Sequence, residues 1–211
     1  MKLTQLLERL DYEVVAGSDN IEITELVNDS RKVVPGSVFV CISGAVSDGH
    51  QYLKDVAEKG AAAVIVEKEV EAPEELTVIK VEDTRYALAL TSAAYFGYPA
   101  EKLKTIGITG TKGKTTTTYM VKAILEEVGH KVGLIGTIEA IIGDKTIPSN
   151  NTTPESYTIQ KYFAQMVEAG CDCVVMEVSS QGLMLHRTAG IMFDIGIFTN
   201  LGEDHIGPNE H

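Results

Sequence analysis

The clearest chemical signal in the sequence is the run Gly110-Thr111-Lys112-Gly113-Lys114-Thr115-Thr116. Two glycines bracket a turn, and a lysine and a hydroxyl follow the second at once. Between a strand and a helix, such a turn holds phosphate oxygens with backbone N–H groups and the positive end of the helix dipole. Lys114 would reach the β- and γ-phosphates, and the Thr115 hydroxyl would complete a Mg2+ shell. The full Walker spacing wants a glycine at position 108, where Ile108 stands, so only the shorter G-x-x-G-K-T form is present. A second signal is Glu177, the one polar residue in the apolar run 174–178 (VVMEV), followed by Ser179 and Ser180. Ligands of open α/β sheets sit at the carboxyl ends of the strands. A carboxylate there, facing a phosphate loop, can hold magnesium directly or through water; the plain alternative is a partly solvated glutamate at a strand end. Asn200, Asp204 and His205 follow another apolar run and would gather at the same edge, where a histidine can ligate metal or orient a phosphate.

Strands and helices in alternation are needed to bring these groups together. The spacing predicts a strand over 104–109, a helix over about 115–128 ending at Gly129, and a strand over 131–137. A helix over 154–169, a strand over 173–178 and a strand over 194–199 follow. That rhythm implies parallel βαβ units. Before it, a short amphipathic helix over 2–10, strands at 38–42, 63–67 and 78–81, and helices at 55–59 and 84–96 point to a smaller α/β unit. The turn Gly97-Tyr98-Pro99 is the expected boundary. The fold class is therefore α/β: a small N-terminal domain, residues 1–98, then residues 99–211 as part of a P-loop-type, mostly parallel, doubly wound sheet. The sequence stops soon after the Asn200–His205 cluster with no closing helix, so the chain is expected to be a piece of a longer enzyme.

Composition narrows the function. The chain has 211 residues, 44% of them hydrophobic and 23% charged, with a formal net charge of −12. Residues 1–103 carry net −8 and residues 104–211 net −4. Neither half has the basic footprint of a nucleic-acid binder, so anion binding must be local. Cys41, Cys171 and Cys173 form no disulfide framework. Cys171-x-Cys173 lacks partners at zinc spacing and reads as buried structure. No segment approaches the ~20 apolar residues of a membrane span, and the N-terminus has no signal-peptide core. A cytoplasmic location is expected.

Taken in order, several strings resemble the Mur ligase family, and within it the MurE type. They are Asp29-Ser30-Arg31, Pro35–Val40, Gly44 with Asp48-Gly49-His50, Gly110–Thr116, Asn151-Thr152-Thr153-Pro154, Met176–Ser180 with His186-Arg187, and Thr199-Asn200 with Asp204-His205. The resemblance implies an N-terminal domain that binds the UDP part of the substrate and roughly the first half of a central ATPase domain. It implies an ATP-dependent ligase of peptidoglycan precursor synthesis that adds diaminopimelate or lysine to UDP-MurNAc-L-Ala-D-Glu through an acyl phosphate. Ser30, Ala45, Val46 and Ser47 would surround the uridine nucleotide. Gly110, Thr111, Lys112, Gly113, Lys114, Thr115, Thr116 and Asn200 would hold ATP. Asn151, Thr152, Thr153, Ser179 and Arg187 would contact the muramoyl-dipeptide, with Arg187 offering bidentate recognition of an anion. Lys114, Glu177 and His205 would be catalytic, with Thr115, Glu177 and His205 around Mg2+. A monomer with no nucleic-acid or membrane partner is expected, inactive as this piece alone. Lys112 stands where Asn is usual in the family, Gln181 where His is common, and Leu185 where some members use Gln. Two other readings stay open: a P-loop NTPase of another kind, and a non-catalytic nucleotide-binding module.

Overall fold

The computed structural model of the chain describes residues 1–44 and 47–203. The chain divides into two compact units, Met1–Tyr95 and Phe96–His211. The division falls where a long helix ends just before Gly97 and Tyr98, which both take positive φ (70° and 52°).

The first unit contains helix α1 (Leu3–Leu6), strands β1 (Glu13–Ala16), β2 (Leu26–Val27) and β3 (Val38–Val40), helix α2 (Leu53–Glu58), strands β4 (Ala63–Val66) and β5 (Thr77–Lys80), and helix α3 (Thr84–Tyr95). The sheet order is β1-β5-β4-β3-β2, parallel except for β1, which runs antiparallel to β5. Strand β4 (AVIV) is buried at all four positions, as a parallel strand covered on both faces must be. Phe39, Val56, Val64, Val66 and Val78 share one core cluster. The expected helix to Leu10 stops after one turn: Leu3, Leu6 and Leu7 are already buried, and the chain must leave the helix to reach β1. Strand β1 escaped the sequence reading because all four of its residues are exposed, leaving no alternation to detect.

The second unit contains β6 (Lys104–Thr109), α4 (Lys114–Glu127), β7 (Val132–Ile135), β8 (Glu139–Ile142), β9 (Lys145–Pro148), α5 (Ser156–Glu168), β10 (Cys173–Glu177), α6 (Ser180–Met184) and β11 (Ile195–Phe198). Its order is β11-β6-β10-β7-β8-β9; the first four are parallel, and β8 and β9 are antiparallel additions. The β8–β9 hairpin was not expected, although its Gly143-Asp144 loop is a two-residue hairpin signal.

Helices cover both faces of this sheet, as a doubly wound fold requires. Val174 and Met176 pack with Ile159, Phe163 and Met166 of α5, whereas Cys173 and Val175 pack with Val121 and Leu125 of α4. Each such buried aliphatic or aromatic side chain contributes about 1.5–3 kcal/mol. The alternation also decides where chemistry can occur. Side chains two apart on a strand share a face, so Glu177 falls on the α4 side with Cys173 and Val175. Strand β11 ends the sheet among the described residues and is poorly covered: Ile195 is 52% and Phe198 63% exposed.

Candidate functional site

Strand β6 delivers its last residue, Thr109, into a tight turn that helix α4 leaves at Lys114. Gly110 takes φ +131° and Gly113 φ +83°. The need for glycine at 110 is steric as well. A Cβ there would lie 2.2 Å from Thr199 Oγ1 and 2.9 Å from the Asn200 carbonyl oxygen. Gly110→Ala should therefore destabilise the second unit by at least ~2 kcal/mol, read as a lowered thermal midpoint; an unshifted midpoint would contradict this packing. Helix α4 has no side-chain N-cap, so its first backbone donors are left for an external acceptor. The Lys114 ammonium folds back over the loop, donating to the Gly110 carbonyl at 2.8 Å and the Thr111 carbonyl at 3.3 Å.

The loop is strapped from outside by residues 199–202. Thr111 N donates to the Asn200 carbonyl (3.0 Å), and Lys112 N to Asn200 Oδ1 (3.0 Å). Asn200 Nδ2 returns a bond to the Lys112 carbonyl (2.9 Å), which also accepts from Thr199 Oγ1 (2.7 Å). Thr111 Oγ1 accepts from Gly202 N at 2.9 Å. Asn200 thus spends its side-chain amide on the loop backbone, holding the turn in shape.

Glu177 is 0% exposed, so the partly solvated alternative does not hold. A buried carboxylate is costly unless it is hydrogen-bonded, and among the described residues three donors meet it. Thr115 Oγ1 and Thr137 Oγ1 each donate to Oε2 at 3.0 Å, and Thr137 N donates to Oε1 at 2.9 Å. Gly136 makes room for this approach, since a Cβ on it would stand 2.4 Å from Glu177 Oε1. Tyr119 lies nearby, its hydroxyl 2.7 Å from Glu139 Oε1; burial and the adjacent carboxylate push it up to about 12.

A cleft of about 820 Å³ runs from this loop to the 150–153 segment, lined in part by Lys114, Thr137, Asn151, Thr152, Ser179 and Arg187. It brings most of the residues expected around ATP and the muramoyl-dipeptide into one concavity. Thr153 sits at its base, donating through Oγ1 to the Glu177 carbonyl and accepting from Ser179 N. Ser179 Oγ caps helix α6 by accepting from Gly182 N at 3.0 Å. The Arg187 guanidinium donates to the Thr153 carbonyl (2.9 Å) and pairs with Glu155 (2.7 Å), while its buried Nε has no partner among the described residues. Its planar fork is therefore already held by a carboxylate of the chain itself. Thr137, Gly136 and Glu155 were not singled out from the sequence, and Thr199 only as part of the Thr199-Asn200 string. Asp204 and His205 lie outside the described residues.

The other four expected substrate residues belong to the first unit. Ser30 opens a short 3-10 turn capped by Asp29, whose carboxyl Arg31 holds down near 2. Ser47 Oγ lies 3.0 Å from the Tyr52 hydroxyl. Asp48 caps the following turn and bonds His50 Nδ1 at 2.6 Å, and Lys68 beside it holds its carboxyl well below the usual range. Because His50 Nε2 accepts from Glu67 N, the ring proton is assigned to Nδ1. Ala45 and Val46 lie outside the described residues.

The three cysteines are free and buried. Cys173 stands with His130 and Asp172, residues distant in sequence or without zinc spacing, in a group whose ligand atoms lie within 4.8 Å of one another. Burial raises the Cys173 thiol, which disfavours the thiolate a metal needs. Asp172 is already engaged by His130 and by Lys131 N, closing the loop after α4. No helix among the described residues is long and apolar enough to cross a membrane.

Comparison with known proteins follows the same division. The family model "Mur ligase family, catalytic domain" matches residues 22–96, and "Mur ligase middle domain" matches residues 108–211. The UDP-N-acetylmuramoyl-L-alanyl-D-glutamate–2,6-diaminopimelate ligase of Clostridium perfringens is 50% identical over 206 residues, covering 98% of this chain and 43% of the relative. The enzyme of that name from Bacillus licheniformis is 48% identical over 211 residues, covering 100% of the chain and 43% of the relative. The chain thus spans less than half the length of these relatives. Among solved structures, a UDP-N-acetylmuramoyl-L-alanyl-D-glutamate–2,6-diaminopimelate ligase superposes with a TM-score of 0.82 at 22% identity, covering 99% of this chain and 42% of that one. MurF ligase from Thermotoga maritima in complex with ADP gives 0.56 at 23% identity, covering 87% and 39%. At those identities the likeness is one of fold.

Proposed function

The chain belongs to the Mur ligase family, and from that premise we propose that it supplies nucleotide-sugar recognition and the phosphate-binding face of an ATP-dependent amide ligase. The ligase would join 2,6-diaminopimelate to UDP-N-acetylmuramoyl-L-alanyl-D-glutamate in the cytoplasm. Diaminopimelate is preferred to lysine because relatives near 50% identity carry that substrate in their names. The observation that carries the reading is the Thr115–Glu177 hydrogen bond behind the phosphate loop, whose residues Gly110, Thr111 and Lys114 line a cleft that continues to Asn151–Thr153. It sets phosphate chemistry beside a second polar subsite.

A carboxylate is a poor electrophile, and the reaction must overcome that. A D-glutamate carboxylate oxygen would attack the γ-phosphorus of ATP as the bond to the bridging oxygen breaks, giving an acyl phosphate and ADP. The amine of the incoming amino acid would then attack the acyl carbon, lose a proton to solvent and expel inorganic phosphate. Alignment and charge neutralisation are the protein's share. Lys114 would exchange its two loop carbonyls for β- and γ-phosphate oxygens, and the uncapped amides of α4 would donate to the same groups. The Thr115 hydroxyl and the Glu177 carboxylate are hard oxygen donors side by side, a set that suits Mg2+. When bound, that ion neutralises charge on the transferring phosphoryl group. Asn151, Thr152, Thr153 and Ser179 would orient the dipeptide end, and Ser30 and Ser47 the uridine end.

Calorimetry on residues 1–211 tests this. Saturable binding of UDP-MurNAc-L-Ala-D-Glu together with Mg2+–ATP is expected. Nucleotide binding alone would favour a P-loop NTPase of another kind, and binding of neither would overturn the ligase reading.

A further inference from the structure

Thr137 ends the short link after β7, lines the cleft and bonds both the buried Glu177 and Thr152. Its backbone N–H and its hydroxyl both reach the Glu177 carboxylate, at 2.9 and 3.0 Å. Its hydroxyl oxygen also lies 3.0 Å from Thr152 Oγ1. A hydroxyl has one proton to give. The carboxylate oxygen can only accept, so Thr137 donates to Glu177 and Thr152 must donate to Thr137. The bonds therefore run in one direction: the Thr152 hydroxyl to the Thr137 hydroxyl to Glu177 Oε2, which also accepts from the Thr115 hydroxyl.

We infer that Thr137 is a positioning residue that couples ligand binding at Thr152 to divalent-cation binding at Glu177 and Thr115. The inference rests on the reading that the cleft takes both a nucleotide–metal pair and a dipeptide. Hydrogen bonds in a chain polarise one another, so a Thr137 hydroxyl that receives a bond is the stronger donor. While Thr152 donates to it, Thr137 draws charge from Glu177 and makes the carboxylate a weaker cation ligand. A ligand acceptor that claims the Thr152 proton removes that support. Thr137 then donates less strongly, and Glu177 becomes the better ligand. The sign is fixed: occupancy at Thr152 tightens Mg2+–nucleotide binding, and by linkage the nucleotide–metal pair tightens the dipeptide equally.

The test measures the affinity of Mg2+ with a non-hydrolysable ATP analogue by calorimetry, with and without saturating UDP-MurNAc-L-Ala-D-Glu. In the unmodified chain the dipeptide should tighten nucleotide binding about fivefold, near the lower end of typical coupling. Thr137→Val keeps the backbone bond to Glu177 Oε1 but has no hydroxyl, and its two affinities should agree within error; Thr137→Ser should restore the ratio. If valine prevents folding, Thr137→Ala serves instead, since it too keeps the backbone donor. A ratio that survives in the valine or alanine variant overturns the inference, as does an unmodified chain that binds both ligands independently. In either case the ligase reading stands. If the unmodified chain binds neither ligand, that reading and this inference fail together.

Discussion

Glu177→Ala should destabilise the second unit by about 3 kcal/mol, and it should weaken Mg2+-dependent nucleotide binding about a hundredfold. The first figure follows from what the carboxylate satisfies. Removing it strands the Thr137 N–H, together with the Thr115 and Thr137 hydroxyls, around a cavity at the end of β10. A stranded buried donor costs ~1–3 kcal/mol, and the hydroxyls recover part of the loss by rotating. The second figure follows from the loss of one of two hard donors beside the phosphate loop. Glu177→Gln separates the two effects. Its amide oxygen still accepts from Thr137 N and its volume is unchanged, so its thermal midpoint should stay near that of the parent. Its nucleotide affinity should nevertheless fall as far as that of the alanine variant. Thermal melts and calorimetry on both variants decide the matter. An alanine variant that melts with the parent would mean the carboxylate is not the anchor of this network.

Lys114→Ala should reduce ATP affinity by at least ~100-fold while leaving the fold in place. Among the described residues the ammonium satisfies only the Gly110 and Thr111 carbonyls. Water can replace it there, so the expected change in stability is under ~1 kcal/mol. In the nucleotide complex the same ammonium would neutralise the β- and γ-phosphates, a charge-assisted contact that water cannot supply. Lys114→Arg should not restore affinity, because a planar fork does not fit a point-charge position inside a tight turn. Retained ATP binding by the alanine variant would show that the loop is not the phosphate site.

What was legible in the sequence was local. Gly110, Gly113, Lys114 and Thr115 are near neighbours, and the turn between β6 and α4 follows from those residue types alone. Glu177 could be placed at a strand end because the apolar run around it is short and unambiguous. Its complete burial could not, since that depends on Gly136 and Thr137, forty residues earlier in the chain. Asn200 was recognised as belonging to the site, but its bonds to Lys112 cross 88 residues, and no pattern of spacing reveals which partner an amide will choose. The same holds for Arg187. Its residue type suggested an anion clamp, and only the three-dimensional fold brings Glu155 against it. Strands β1 and β2 were missed for a different reason: one is wholly exposed and the other is two residues long. Neither carries the hydrophobic periodicity on which such a reading depends.

Strand β11 bonds to β6 along one side only among the described residues, and Ile195 and Phe198 are more than half uncovered. An open strand edge of this kind offers main-chain donors and acceptors in register with a greasy flank. Any extended segment laid along it would gain main-chain bonds and apolar contact at once.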